Sequence, residues 1–263
     1  MEVSQSISST LKRASAFGIG KGGFRTCVFN PKGVGVPIER PTLFNFKARV
    51  KELNSTIDHI SKKYPDSSLY LVGFSMGGCI ITNFLSQTKH TKIKGIVTVS
   101  SPWDLYAAAC EANKLKNFIY GYFMTKNLIK MVKFNKNSID DWCRQNGVFI
   151  DYEQLYRCKN TFDFDKLFSF KVIDDFVSSE NYYKELGCTE PDFYIPSLHI
   201  QSKNDPISKP EFVPIQKILR NNKAIIVSTP GGGHVEYFVG NKRERVVLLV
   251  ECRCHRQLSI LDP

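Results

Sequence analysis

The sequence predicts an α/β fold with a mostly parallel central sheet, and three observations indicate it. Short apolar runs typical of buried strands alternate along the chain with longer helical stretches. A glycine-flanked turn at residues 73–77 joins one of these runs directly to a helical stretch. With 263 residues and 42% hydrophobic content, the chain can bury one sizeable core. We therefore expect parallel strands, with helices filling most of the intervals between them.

Five strands are predicted, each from a short apolar or β-branched run bounded by turn residues. Their ranges are 25–30, 69–73, 94–100, 196–202 and 223–228. Helices should precede the second strand, over residues 50–60, and follow it directly. The long interval after the third strand has no strand signal and many aromatic residues among lysines, so we interpret residues 104–190 as an inserted helical cap. We expect a single domain that spans residues 1–263.

The turn after the second strand, Gly73-Phe74-Ser75-Met76-Gly77, is the most informative motif of the chain. A serine on a sharp turn between a strand and a helix is exposed at the end of the strand, and the flanking glycines let neighbouring backbone approach closely. The N–H groups at the start of the helix would face an oxyanion beside Ser75. Ser75 is the predicted nucleophile, and the Met76 N–H is the predicted oxyanion donor. Taken alone, the segment also fits an ordinary Gly-rich turn.

A serine nucleophile needs a base and an acid that orients the base, and one known chain order is serine, acid, histidine. Asp205 follows the fourth predicted strand in an Asn-Asp-Pro turn and is the candidate acid, although aspartate is also common turn chemistry. His234 lies on a glycine-rich loop after the fifth predicted strand and is the candidate base. Asp104, after the third predicted strand, is the reserve candidate for the acid.

With Ser75, Asp205 and His234 in this order, the chain resembles the AB-hydrolase superfamily. More narrowly, it is similar to the branch that holds medium-chain fatty-acid ethyl ester synthase/esterases and abhydrolase-domain phospholipid and acylglycerol lipases. Further matching segments are Phe-Asn-Pro-Lys-Gly at residues 29–33 and Ser-Ser-Pro-Trp-Asp at residues 100–104. The resemblance implies an α/β-hydrolase fold.

The chain departs from the family pattern in two places. The family carries a strand and a His-Gly loop upstream of the strand at 25–30, and that loop supplies half of the oxyanion hole. The chain has only a glycine-rich stretch there, at residues 17–23, so we expect N-terminal strands to be missing. Glu236 stands where the family tends to have glycine after the histidine. We interpret both ends as departing from a full-length enzyme, through a truncated copy or an incomplete gene model.

The resemblance implies a serine carboxylic-ester hydrolase that acts through an acyl-enzyme on Ser75. Its expected substrates are lipid-like esters with short- to medium-chain acyl groups, acylglycerols or phospholipids. No cofactor and no metal is expected, since the tail motif at residues 252–255 does not supply the four ligands of a zinc site. The alternative is a catalytically impaired hydrolase-fold protein that binds an acyl lipid or a protein partner, because losing one oxyanion donor costs about a hundredfold to a thousandfold in rate.

Charge and cysteine content suggest partners and location. The net charge of +11 favours anionic surfaces, and lysines are interleaved with apolar residues between positions 114 and 136, so peripheral contact with an anionic membrane is a hypothesis. No nucleic-acid-binding motif accompanies the charge, and nucleic acid is not expected as a partner. Eight scattered cysteines and an N-terminus without an apolar signal region predict reduced thiols and a cytoplasmic location.

Overall fold

The computed structural model describes residues 20, 22–33, 38, 41, 46–173, 179–235 and 237. The chain divides into two compact units, one of residues 29–235 and one that combines residues 1–28 with residues 236–263. All elements described below belong to the first unit. The predictions on Glu236, on the tail motif at 252–255 and on most of the segment 17–23 fall outside the described residues.

Helices and strands alternate at first: α1 (Phe46–Lys63), β1 (Leu69–Phe74), α2 (Met76–Gln87) and β2 (Ile93–Val99). Residues 105–186, here called the helical insertion, follow with α3 (Leu105–Ala112), a 3-10 turn (Leu115–Asn117), α4 (Phe118–Phe134), α5 (Lys136–Asn146), α6 (Tyr152–Arg157), α7 (Thr161–Phe164), a π-helical segment (Asp165–Ser169), α8 (Phe170–Val172) and α9 (Ser179–Leu186). The last elements are β3 (Ser197–Ser202), a 3-10 turn (Pro210–Phe212), α10 (Ile215–Ile218) and β4 (Ala224–Thr229).

The four described strands form one parallel sheet in the order β1-β2-β3-β4. Val72 of β1 is in register with Val97 of β2, and Val99 of β2 is in register with Ile200 of β3. Because the strands are parallel, their carboxyl ends lie at the same end of the sheet, where ligands bind in open α/β folds. The turns that carry the three candidate residues therefore all leave the sheet at this carboxyl-terminal end.

The predicted α/β class is confirmed, and the last four predicted strands are observed with each boundary within one residue of the prediction. The strand predicted at 25–30 is wrong, since residues 24–31 are described and form no strand. β1 lies at the edge of the described sheet, and Tyr70 and Val72 on it are 60% and 40% exposed. A strand must pair its backbone groups with a neighbour, and no described strand lies beyond β1 for an apolar run at 25–30 to join.

Two hydrophobic clusters hold this unit together. The first packs α1 and α2 against the sheet and includes the fully buried side chains of Ile57, Phe84 and Trp103. The second lies mainly within the helical insertion and includes Leu155 and Phe168, both with no exposed surface. The insertion therefore has a core of its own. Its role as a cap stays a prediction.

Within the described ranges, no helix is both long enough and apolar enough to cross a membrane.

Candidate active site

The turn between β1 and α2 holds Ser75 in a conformation that few residues adopt. Its φ of 49° and ψ of −121° lie in a strained region, as is common for functional residues at sharp turns. A Cβ on Gly73 would lie 2.5 Å from the backbone nitrogen of Gly78, so this close approach requires glycine. The Ser75 N–H donates to the Val99 carbonyl at 2.8 Å, which ties the turn to the end of β2.

The three candidate residues form one hydrogen-bonded chain. Ser75 Oγ lies 2.7 Å from His234 Nε2. His234 Nδ1 lies 2.9 Å from Asp205 Oδ2 and 3.1 Å from Oδ1. The structure thus brings together side chains that are separated by 159 and 29 positions along the chain. This is the order and spacing of a nucleophile, a base and an orienting acid.

The chemistry of these groups determines which imidazole nitrogen carries the proton. An ionised Asp205 only accepts hydrogen bonds, so Nδ1 of His234 must be the donor to it. Nε2 of the neutral ring is then an acceptor, and the Ser75 hydroxyl donates to it. In this tautomer His234 can take the proton of Ser75 directly. The His234 side chain is 16% exposed and that of Asp205 is fully buried, so the ion pair formed on proton transfer would be largely shielded from water.

Asp205 is held by backbone donors from its own turn. Its Oδ1 accepts from the N–H groups of Ile207 and Ser208, both at 2.9 Å. The Ser208 hydroxyl donates in turn to the Ser101 carbonyl at 2.7 Å, which joins this turn to the loop after β2. These contacts fix the carboxylate that orients His234.

The loop of His234 is held on both sides by side chains that sequence reasoning did not single out. The Gly233 N–H donates to Asn204 Oδ1 at 2.8 Å, and the Val235 N–H donates to Ser100 Oγ at 3.4 Å. Ser100 and Val235 have φ values of 51° and 64°, which are unusual for residues other than glycine. Asn204 belongs to the Asn-Asp-Pro turn motif, and no local signal in the sequence marks its contact with Gly233.

The oxyanion donor predicted at Met76 lies at the first position of α2. The first N–H groups of a helix have no acceptor within the helix, and they carry the positive end of its dipole. The N–H groups of Gly78 and Cys79 return to the Ser75 carbonyl, at 2.9 and 3.4 Å. Met76 and Gly77 precede these two donors in the first turn of α2, and the oxyanion role of Met76 stays a prediction.

Asp104 and His199 have structural roles outside the hydrogen-bonded chain of Ser75, His234 and Asp205. Asp104, the reserve acid, caps α3 by accepting from the Ala107 N–H at 2.9 Å, and it is Asp205 that contacts His234. His199 is buried in β3 with Nδ1 2.8 Å from Thr98 Oγ1, and its ring packs edge-on against Trp103. Burial lowers the pKa of His199 to about 4, so it is a neutral core histidine at pH 7.

The alpha/beta hydrolase fold family matches the chain over residues 5–240, which is most of the sequence. The chain belongs to the alpha/beta hydrolase fold family. A monoacylglycerol lipase of Saccharomyces cerevisiae is 28% identical to it over 241 residues, and the match covers 88% of the chain and 51% of the relative. Phospholipase ABHD3 of Mus musculus is 25% identical over 226 residues, 83% of the chain and 52% of the relative. The chain thus spans about half the length of the curated relatives it matches.

The chain is also similar to solved structures, among them the esterase PF2001 of Pyrococcus furiosus, with a TM-score of 0.39 and 19% identity over 71% of this chain and 53% of the esterase. The monoacylglycerol lipase of Paleococcus ferrophilus has a TM-score of 0.39 and 18% identity, over 71% of this chain and 67% of the lipase.

Proposed function

We propose that this α/β-hydrolase is a serine hydrolase that cleaves carboxylic esters through an acyl-enzyme on Ser75. The observation that carries this proposal is the continuous chain of hydrogen bonds from Ser75 through His234 to Asp205. A buried carboxylate, an oriented imidazole and a hydroxyl on a strained turn are the parts that acyl transfer needs.

The proposed reaction has two steps. Ser75 Oγ attacks the ester carbonyl while His234 Nε2 takes its proton, and Asp205 stabilises the resulting imidazolium. The Met76 N–H stabilises the oxyanion, and His234 then protonates the leaving alcohol. In the second step His234 removes a proton from water, hydroxide attacks the acyl carbonyl, and Ser75 leaves with the proton returned. An alcohol in place of water would give a new ester.

The proposed substrates are lipid-like esters with short- to medium-chain acyl groups, acylglycerols or phospholipids. Support comes from relatives named as a monoacylglycerol lipase and as a phospholipase. The helical insertion would act as a cap over the acyl group. We also propose peripheral contact with anionic membranes, on the basis of the net charge of +11.

A fluorophosphonate probe tests the reaction class, because it forms a covalent bond only with an activated serine. We expect the wild type to be labelled, and Ser75→Ala and His234→Ala to lose labelling at least about a hundredfold. Ser55→Ala is the matched control, since Ser55 lies on the exposed side of α1 and its hydroxyl bonds only the Lys51 carbonyl among the contacts described. Labelling that persists in Ser75→Ala would contradict the proposal.

The second candidate is a hydrolase-fold protein without catalysis that binds an acyl lipid or a protein partner. The exposed position of β1 at the edge of the described sheet favours it, because among the described strands β1 pairs only with β2 beside the nucleophile turn. This candidate predicts a folded wild-type protein that the probe does not label.

A further inference from the structure

The first half of helix α4 buries small residues and exposes large apolar ones. Its buried positions there are Gly121 and Thr125, and those of the second half are Ile129 and Val132. Leu115, Ile119 and Phe123 are 91%, 65% and 62% exposed. We call the exposed apolar residues of the turn before α4 and of its first half the outer face; they are Leu115, Phe118, Ile119, Tyr120, Phe123 and Met124. Water-facing helices normally have the opposite arrangement.

Packing against α3 fixes this orientation. A Cβ on Gly121 would lie 2.6 Å from the Ala112 carbonyl oxygen, so α4 approaches the end of α3 at a position where only glycine fits. Ile119 and Phe123 are four positions apart and thus neighbours on the opposite side of the helix. The rings of Phe118 and Tyr122, and those of Tyr122 and Phe123, have centroids 5.8 Å apart, so the aromatic groups form a continuous surface.

Positive charge borders the outer face. The buried carboxylate of Glu111 receives the ammonium groups of Lys114 at 2.6 Å, Lys209 at 2.7 Å and Lys116 at 3.2 Å. Three positive charges face the one negative charge of Glu111, and Glu211 is a further carboxylate near Lys209, so positive charge exceeds negative charge at this border. The Lys114 and Lys116 side chains are 57% and 64% exposed, so they can reach a second anion while they remain paired.

We infer that the outer face is a docking surface for a phospholipid bilayer that contains anionic lipids. Apolar and aromatic side chains bordered by lysines are the pattern of a helix that lies in the interface of such a membrane. The same charge argues against a second copy as the occupant, because two such faces would bring two positive borders together.

The docking surface is connected to the turn of Asp205 through Lys209. A role for this connection in catalysis rests on the proposed function. Lys209 contacts Glu111, and the adjacent Ser208 donates its N–H to Asp205 Oδ1. A membrane bound at the outer face would therefore hold the loop of the proposed acid close to a source of lipid esters.

Vesicle sedimentation tests the surface without using the reaction. We compare the wild type with Ile119→Ser/Phe123→Ser, on vesicles of phosphatidylcholine alone and of phosphatidylcholine with phosphatidylserine. We expect the wild type to prefer the anionic vesicles and the double variant to bind them about tenfold more weakly or worse. Phe149→Ser/Tyr194→Ser is the matched control, since these aromatic residues are 77% and 68% exposed and do not belong to the outer face, and it should bind like the wild type.

Three outcomes would contradict the docking surface. They are no vesicle binding by the wild type, binding of the double variant as tight as that of the wild type, or a loss of binding in the control as large as in the double variant. A wild type that dimerises, with a double variant that does not, would assign the face to a second copy instead. Fluorophosphonate labelling without vesicles separates this inference from the proposed function. The double variant should be labelled like the wild type, whereas a wild type that binds vesicles but is not labelled would contradict only the proposed reaction.

Discussion

At the scale of single residues, the position of His234 depends on neighbours that take no part in proton transfer. Asn204 Oδ1 accepts from the N–H of the preceding residue, and Ser100 Oγ accepts from that of the following one. Asn204 also accepts from the Ser202 hydroxyl, so its amide is fixed by two donors. Because a displacement of about 1 Å can cost about a hundredfold in rate, these contacts should matter for catalysis.

We expect Asn204→Ala to lower the rate of fluorophosphonate labelling about tenfold, because the Gly233 N–H loses its acceptor and the imidazole is less well oriented. Asn204→Asp keeps an acceptor oxygen at this position and should recover most of the rate. The free energy of unfolding should change by only about 1 kcal/mol in Asn204→Ala. Labelling kinetics and urea unfolding measure the two quantities.

Asn146→Ala is the control for this experiment: the Asn146 side chain also bonds the backbone, but its Nδ2 donates to the Trp142 carbonyl at the end of α5, whereas Asn204 Oδ1 accepts. It should leave the labelling rate unchanged. Equal rates for the wild type and Asn204→Ala would show that the loop positions His234 without this side chain.

At the scale of elements, the link between β1 and α2 depends on how closely two backbone segments approach each other. Gly73 and Gly77 flank the same serine, but their surroundings differ. A Cβ on Gly73 would overlap backbone atoms of Gly77 and Gly78, whereas a Cβ on Gly77 would meet no atom within 4 Å. The motif therefore contains one glycine required by packing and one with space around it.

We expect Gly73→Ala to reduce the free energy of unfolding by about 2 kcal/mol or more, because the added methyl group forces the start of α2 away from β1. Gly77→Ala should leave it unchanged or raise it by up to about 1 kcal/mol, because alanine favours a helix over glycine. Urea unfolding of both variants measures the difference. Equal destabilisation by the two substitutions would contradict this account of the turn.

At the scale of the whole molecule, two buried groups in different parts of the chain affect the pH dependence of stability with opposite signs. Burial lowers the pKa of His199 from 6.5 to about 4, and burial raises the pKa of Asp165 from 3.8 to about 6. Between about pH 4 and pH 6 the unfolded chain binds more protons at His199 than the folded chain does, so acidification destabilises the fold through this residue. The folded chain binds more protons at Asp165, so acidification stabilises it, and the two effects offset each other.

We therefore expect variants at these positions to change the slope of stability against pH in opposite directions. Between pH 6 and 4, acidification should stabilise His199→Gln relative to the wild type, by at most about 1.4 kcal/mol per pH unit. It should destabilise Asp165→Asn relative to the wild type by a similar amount. Urea unfolding at several pH values measures both slopes. Parallel curves of stability against pH for all three proteins would contradict the predicted opposite effects of His199 and Asp165.

Most of the sheet was predictable because its signals are local. The runs that became β1 to β4 are six or seven residues long, contain apolar or β-branched residues and end at turn residues, so each identifies a strand without reference to the rest of the chain. The run at 25–30 carries a similar local signal but forms no strand. A strand forms only where its backbone pairs with a neighbouring strand, and which strands are neighbours is decided when the sheet assembles.

The sequence by itself determined the α/β class, the turn at Ser75 and the placement of Asp205 and His234 on turns after strands, since each of these signals comes from a local run of residues. Only the tertiary structure decided the contacts between them, the capping role of Asp104, the support of His234 by Asn204 and the outward orientation of Ile119 and Phe123. These depend on distances and exposure between segments far apart in the chain. Packing sets such quantities, and local patterns do not encode them.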